Sequence, residues 1–430
     1  KLAGSGFQFD RAYDACPLCV PARTALATGI YPTKNGVIYN DWAGKTAGMI
    51  KPIHTLLKEA GYQVGHVGMD HIKVKPCMRE QGLDYFINQE DYEKWADSMG
   101  SRTTRSKTEL TEVLEDIEGE SVSKRYSGHQ VSVWDKPLHQ FKDFYFRDRS
   151  LEFLKQLPKE PFALFTYLWA PHPPLRVPEP YASMYDPEQI VLPDNLGIPA
   201  EAEPQLRRKG VPAQLAEGVS LTEWKKVWAA HLGLTTMADE ILGQILKELE
   251  DQGRLDQTLV IFTADHGDHL GQHGMYQKME MYEEAIHVPF VIKMPQGKAG
   301  RSHGIVSHLD LMPTICEAAG IEAGACDGIS LLPIMQGKDP DPDRIVFSQY
   351  SGNPGYGTVR RAAISERYKY ILDNQYEHEL YDLSKDPHEM KNVAKDPAYT
   401  NILKDLYECC QKYHTEHRDC FKWEGENVKV

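Results

Sequence analysis

The chain has 430 residues, 41% hydrophobic and 26% charged, a mixture that supports a large buried core rather than a disordered chain. Its net charge of −14 excludes a general nucleic-acid footprint, and no apolar run reaches membrane-spanning length. An enzyme for anionic substrates built on this chain must gather its positive groups in one pocket.

Lys1-Leu2-Ala3-Gly4-Ser5-Gly6 reads as the tail of a helix closed by glycine, so the chain is expected to begin inside a domain. Phe7 to Tyr13 has the alternation of a short strand. It leads to Cys19-Val20-Pro21-Ala22-Arg23. Pro21 suits the first turn of a helix, Ala22 to Thr28 can carry it, and Gly29 can end it in a left-handed cap. Cys19 is thus predicted at a helix N-terminus, where N–H groups and the dipole favour an anion and Arg23 can add a fixed charge. Cys16-Pro17-Leu18-Cys19 also has the spacing of a redox pair, and a buried structural thiol is the commonest fate of a single cysteine. A zinc site is not expected, because no second CxxC exists and Cys409-Cys410 has the wrong spacing.

Further along, Thr55 to Ala60 reads as a helix closed by Gly61, and Tyr62 to Val67 as a strand running into Gly68-Met69-Asp70-His71. Asp97 to Gly128 and Tyr181 to Val219 read as long connections that wall a pocket or form solvated excursions. Between them lie a helix, Asp143 to Gln156, and a buried strand, Pro161 to Trp169. Pro171-His172-Pro173-Pro174 then stiffens the loop that holds His172, and Arg176 is placed either on a charged substrate or in water. Trp224 to Leu249 has helical periodicity. The apolar run Thr258 to Thr263 reads as a strand that delivers Asp265-His266-Gly267, and ligands bind beyond the carboxyl ends of such strands. An adjacent carboxylate and imidazole suit a divalent metal. His269 and His273 could share a zinc on a helix, but Gly271 and Gly274 argue against a regular helix there. Val288 to Lys293 reads as a strand and Asp310 to Ala319 as a helix ended by Gly320.

After the Asp339–Asp343 linker, Arg361 to Leu372 and Glu379 to Leu383 read as a small antiparallel sheet, and Ala398 to His414 as a helix packed on it. The expected fold is α/β: a large, mostly parallel sheet sandwiched by helices over residues 1–337, plus a small antiparallel α+β subdomain over 338–430. The eight cysteines form no obvious short framework and no N-x-Ser/Thr acceptor occurs, which favours a bacterial protein and leaves the compartment open between cytoplasm, periplasm and exterior.

The order of these blocks resembles the type I, formylglycine-dependent sulfatases of the alkaline-phosphatase-like superfamily. The matching motifs are Cys19-x-Pro21-x-Arg23, Pro171-His172-x-Pro174, the Asp265–Gly274 block and Glu379-Leu-Tyr-Asp-Leu383 with Asp386-Pro387. The resemblance implies that a maturation enzyme oxidises Cys19 to formylglycine, whose hydrate supplies the nucleophilic oxygen. It makes Asp265 and His266, with residue 19, ligands of one divalent metal, calcium in most members and manganese in some related hydrolases. Lys278 would contact the sulfate and the scissile oxygen, His172 would act as general acid, and His71 would orient the hydrate. His273 would sit behind the metal ligands. Members carry a lysine where this chain has Met69, and Lys73 or Lys75 is expected to replace that charge. They also carry an upstream strand ending in paired aspartates, which this sequence does not contain. The expected activity is hydrolysis of a sulfate monoester on a small molecule or oligosaccharide, with a sulfated carbohydrate as the expected substrate and no nucleic-acid or membrane partner. A phosphonate monoester or phosphodiester hydrolase, and a non-catalytic anion-binding relative, remain as alternatives.

Overall fold

In the computed structural model, residues 1–41, 44–156, 161–417, 419 and 421 are described, so the last part of the expected 338–430 subdomain lies outside the described residues. The Gln63–Gly68 strand runs parallel between Tyr85–Asn88 and Phe162–Tyr167. Parallel neighbours need long crossovers, and the Gln89–Ser98 and Lys142–Gln156 helices lie within one of them. A second sheet is built on Phe7–Tyr13, which pairs in parallel with Gly300–Ser307 and antiparallel with His287–Val288 and Phe290–Lys293. Val260–Thr263 closes that sheet antiparallel to Phe290–Lys293. Pro289, with no N–H to donate, divides what would otherwise be one strand.

The α/β class is as expected, but among the described residues the strands before residue 338 form a parallel sheet of three, a mixed sheet of five and three two-stranded ribbons. The reversal has a local cause. The link over residues 294–299 is too short for a helical crossover, so the chain turns back. Both Phe162–Tyr167 and Val260–Thr263 are edge strands, and each delivers site residues from its carboxyl end.

The Leu221–Asp251 helix starts at a Ser220–Glu223 capping box and packs on Lys142–Gln156. Trp224, Val227, Ala230, Leu234, Met237 and Ile241, at helical spacing, form its buried stripe. Long as it is, no helix among the described residues is apolar enough to cross a membrane. The stretch from Asp97 to Gly128 is not only a loop: it holds an antiparallel hairpin, Leu110–Ile117 with Glu120–Ser127, turned at Glu118-Gly119. Its alternation is hidden in the sequence because mainly Val113 and Glu115 turn inward and the rest is polar or exposed. Within Tyr181 to Val219 the Val211–Ala216 helix forms.

The C-terminal sheet is an antiparallel meander of Val346–Tyr350, Arg360–Ile364, Tyr368–Asp373 and His378–Asp382, covered by the Thr400–Glu416 helix. Thus the single run read from Arg361 to Leu372 is two strands. The first strand of the meander docks on the loop before Cys19: Gln349 N–H donates to the Ala15 carbonyl at 3.0 Å, and Ser348 Oγ to Asp14 Oδ1 at 3.0 Å.

Candidate active site

Cys19 is the first residue of the Cys19–Thr28 helix, which ends at Gly29 with φ 69°. The residue before it, Leu18, caps none of the helix N–H groups; Val20 N–H donates to Asn40 Oδ1 at 3.1 Å, and the positive end of the dipole lies at Cys19. The sulfur lies 3.1 Å from His266 Nε2. Burial would raise the thiol pKa, but Lys278, His266 and the neighbouring His172 outweigh it, and the pKa falls well below the ordinary thiol value. One turn into the helix, Arg23 Nε donates to Asp265 Oδ2 at 2.7 Å, and its other end reaches the Met69 carbonyl at 3.4 Å.

Asp265 and His266 follow the Val260–Thr263 strand. The turn that presents them is tight: a side chain at Gly267 would put its Cβ 2.0 Å from the Glu284 carbonyl oxygen, so only glycine fits. Burial opposes ionisation of Asp265, yet Arg23 and His266 hold it below the usual carboxylate range, while Asp265 raises His266 against burial. His266 Nδ1 faces the Gly267 carbonyl at 2.8 Å, an acceptor only. That assigns an N–H to Nδ1 and leaves Nε2 facing the Cys19 sulfur.

His172 follows the Phe162–Tyr167 strand. Its Nδ1 faces the Pro173 carbonyl at 2.5 Å and its Nε2 lies 3.1 Å from Lys278 Nζ. Burial and then the Lys278 charge pull the imidazole down to about 4.

Lys278 itself is 6% exposed, far from the solvated state usual for lysine. Its neighbours Gln277 and Met279 adopt φ 69° and 79°, a left-handed backbone that non-glycine residues hold only under outside constraint. The constraint is visible. Met279 N–H donates to the Pro17 carbonyl at 3.3 Å, Arg360 to the Met279 carbonyl at 3.1 Å, and Lys369 to the Met281 carbonyl at 3.1 Å. Glu280 is fully buried between Arg360 at 2.8 Å and Arg207 at 3.6 Å. Arg207 also pairs with Asp373 and Glu379 of the C-terminal meander. The small sheet therefore grips the loop that carries Lys278.

The fold thus brings Cys19, Arg23, His172, Asp265, His266 and Lys278 together. His71 is buried on the loop beyond Gln63–Gly68, beside Asp70, whose ionisation it favours. Met69 turns its side chain into a hydrophobic cluster with Val67, Tyr92, Tyr145 and Phe146, and offers the site only its carbonyl. Lys75 is exposed, and the Lys73 charge acts on Asp70. Arg176 holds Glu109 through two contacts of 2.6 Å. His269 opens a short strand, and His273 stacks at 4.1 Å on Tyr282, so the two do not share a helix face.

Two further acids were not singled out by the sequence. Asp268 is pushed up to about 6 by burial, with Lys278 and His266 opposing, and burial raises Asp14 well above the usual range, with His266 opposing. Asp268 Oδ1 and Asp14 Oδ2 are buried without a hydrogen-bond donor. Ligand atoms of Cys19, Asp265 and His266 lie within 4.8 Å of one another. The Cys19, Asp265 and His266 atoms fit one divalent cation, and the unpartnered Asp14 and Asp268 carboxylates add negative charge near His266.

The α/β fold thus gathers a cysteine at a helix start, fixed cations and an Asp–His pair beyond its strand ends. The chain belongs to the sulfatase family: the Sulfatase model matches residues 1–321, and the model for the N-sulphoglucosamine sulphohydrolase C-terminal region matches 271–416. It is accordingly a sulfuric ester hydrolase. The multifunctional alkaline phosphatase superfamily protein PehA of Trinickia caryophylli is 30% identical, the match covering 97% of this chain and 89% of that protein. The N-acetylglucosamine-6-O-sulfatase of Bacteroides thetaiotaomicron is 26% identical over 100% of this chain and 83% of its own. Among solved structures, the phosphonate monoester hydrolase of Silicibacter pomeroyi has a TM-score of 0.76 at 24% identity, covering 98% of this chain and 90% of that one.

Proposed function

We propose that this enzyme hydrolyses a sulfate monoester on a carbohydrate, with Cys19 converted to formylglycine by a maturation enzyme. The observation that carries the reading is the meeting of Cys19, His266, His172 and Lys278, drawn from four separate segments, around one buried point. Formylglycine supplies, as its hydrate, an oxygen nucleophile in place of a thiol poorly suited to attack at sulfur. Asp265 and His266, with the residue-19 oxygen, would hold a divalent cation that polarises the sulfuryl group. Calcium is the ion we favour, because replacing sulfur by oxygen hardens the donor set beside Asp14, Asp265 and Asp268.

The remaining chemistry belongs to the side chains. Arg23, Lys278 and the helix N-terminus stabilise the charge that grows on the sulfuryl oxygens. Lys278 directs its ammonium at the neutral His172, so Lys278 carries the proton destined for the leaving oxygen and His172 orients it. This moves the general-acid role expected of His172 onto the pair. The carbohydrate is supported by the Bacteroides thetaiotaomicron relative, whose name specifies a sulfated amino sugar.

The multifunctional relative PehA motivates a second reading, a phosphonate monoester or phosphodiester hydrolase. Parallel turnover of 4-nitrophenyl sulfate and a phenylphosphonate ester separates the two. Faster sulfate hydrolysis is expected; a preference for the phosphonate would install the second reading. Mass spectrometry of the Cys19 peptide should show the aldehyde in active preparations, and full activity with an intact thiol would overturn the formylglycine assignment.

A further inference from the structure

The hairpin of Leu110–Ile117 and Glu120–Ser127 carries no reacting group, yet its base is tied to both loops that carry one. Leu110 faces Ser127 there, and Gly128 N–H donates to the Glu109 carbonyl at 2.8 Å, so Glu109 and Ser127 close the same end of the ribbon. On one side Glu109 accepts from Arg176 Nε and Nη2, each at 2.6 Å. A two-bond arginine–carboxylate pair fixes angle as well as distance. Arg176 also donates to the Thr104 carbonyl at 2.7 Å, and Ser106 N–H to Glu109 Oε2 at 2.7 Å. The Arg176 bonds hold the Glu109 carboxyl down at about 2, so the pair stays charged at neutral pH. Arg176 follows His172 past the stiff Pro173-Pro174 pair, and its strand, Leu175–Pro178, runs parallel to Val131–Trp134, just beyond the hairpin.

On the other side Gln277, next to Lys278, donates from Nε2 to the Ser127 carbonyl at 2.5 Å. Asn353 Nδ2 adds a second link, 3.1 Å from the Tyr126 hydroxyl and 3.8 Å from the Met279 sulfur. The two loops have separate anchors. Asp143 accepts the N–H groups of Trp169 and Ala170 before His172, while Arg360 and Lys369 of the meander hold the Lys278 loop. The hairpin base spans the two. Lys278 Nζ and His172 Nε2 meet at 3.1 Å, and a drift of about 1 Å takes that contact out of hydrogen-bond range.

We propose that the hairpin base is a strut that sets the distance between His172 and Lys278, with Arg176, Glu109 and Gln277 as its positioning residues. This rests on the reading above in which Lys278, oriented by His172, protonates the leaving oxygen. Arg176 thereby serves catalysis without touching substrate.

The test measures kcat and KM of the wild type, Glu109→Gln, Arg176→Met, Gln277→Leu and the Glu109→Gln/Arg176→Met double variant on 4-nitrophenyl sulfate and phenyl sulfate. The nitrophenolate leaves with little help from an acid; phenolate is more basic and leaves slowly unless protonated. Misalignment of the proton donor should lower kcat on phenyl sulfate by about 10- to 100-fold in each single variant, with KM unchanged. The nitrophenyl ester should lose less than about threefold, which also shows that the variants fold. The double variant should lose no more than the worse of its two single variants, because both changes cut one tie. Hydrogen exchange gives a readout that needs no turnover: the His172 amide, which donates to the Trp169 carbonyl at 3.0 Å, should exchange faster in Arg176→Met. Unchanged exchange would overturn the strut. So would equal losses on the two esters, or no loss on phenyl sulfate, provided that Lys278→Ala itself loses more on phenyl sulfate. A Lys278→Ala enzyme without that selectivity would overturn the proton-delivery reading instead, and the exchange result then decides the strut alone.

Discussion

Arg360→Met is expected to damage a site it never touches. Arg360 is buried in the C-terminal meander, pairs with Glu280 at 2.8 Å and donates to the Met279 carbonyl at 3.1 Å. Glu280 would be left with Arg207 at 3.6 Å, a partner already shared with Asp373 and Glu379. Removing one member of a buried pair costs about 3–5 kcal/mol. The lower figure applies, because burial already raises the Glu280 pKa and proton uptake can neutralise it. The methionine also withdraws one of the bonds that keep Met279 at φ 79° beside Lys278. A misplacement of about 1 Å at a reacting group costs on the order of 100-fold in rate. Urea unfolding read with turnover of 4-nitrophenyl sulfate should therefore show about 3 kcal/mol less stability and a kcat reduced about 10- to 100-fold. Reduced stability with an unchanged kcat would refute the link from the meander to Lys278, and no change in either would refute the pairing itself.

Cys19→Ala or Cys19→Ser should abolish turnover while leaving the unfolding midpoint close to wild type, and retained activity would exclude residue 19 as the nucleophile. Lys278→Ala should lower kcat by about 100- to 1000-fold, and a loss confined to KM would show that Lys278 only binds the ground state. Dialysis against EDTA should remove activity and calcium should restore it; restoration by manganese alone would reassign the ion, and activity that survives complete removal would sink the metal site. The His54 ring lies tilted 3.8 Å from that of Phe165 and is pulled down to about 3 by burial. Its folded pKa lies below the unfolded value, so the unfolded chain binds the extra proton and His54 destabilises as pH falls from about 6.5. His54→Phe should gain on wild type by about 2 kcal/mol between pH 7.5 and pH 5 in paired denaturation curves, and a pH-independent difference would contradict the buried neutral ring.

What was legible in the sequence was local. Proline at 21, a helix-forming run and Gly29 suffice to place Cys19 at a helix start, because the angles of proline and glycine depend on no distant partner. The Asp265–His266 pair after an apolar strand was legible for the same reason, as were the helix ends at Gly61 and Gly320. The hairpin from Leu110 to Ser127 was not, since a mostly exposed two-stranded ribbon has little apolar alternation to read. Nor could the sequence say that Met69 faces a hydrophobic cluster, that Asp14 and Asp268 are buried acids near His266, or that Arg360 holds the Lys278 loop. Residue type and spacing determined which groups were available and where helices and strands could begin. Only the tertiary structure decided which of them lose water and which charges they meet, because burial and Coulomb interaction depend on distances in space between residues far apart in the chain.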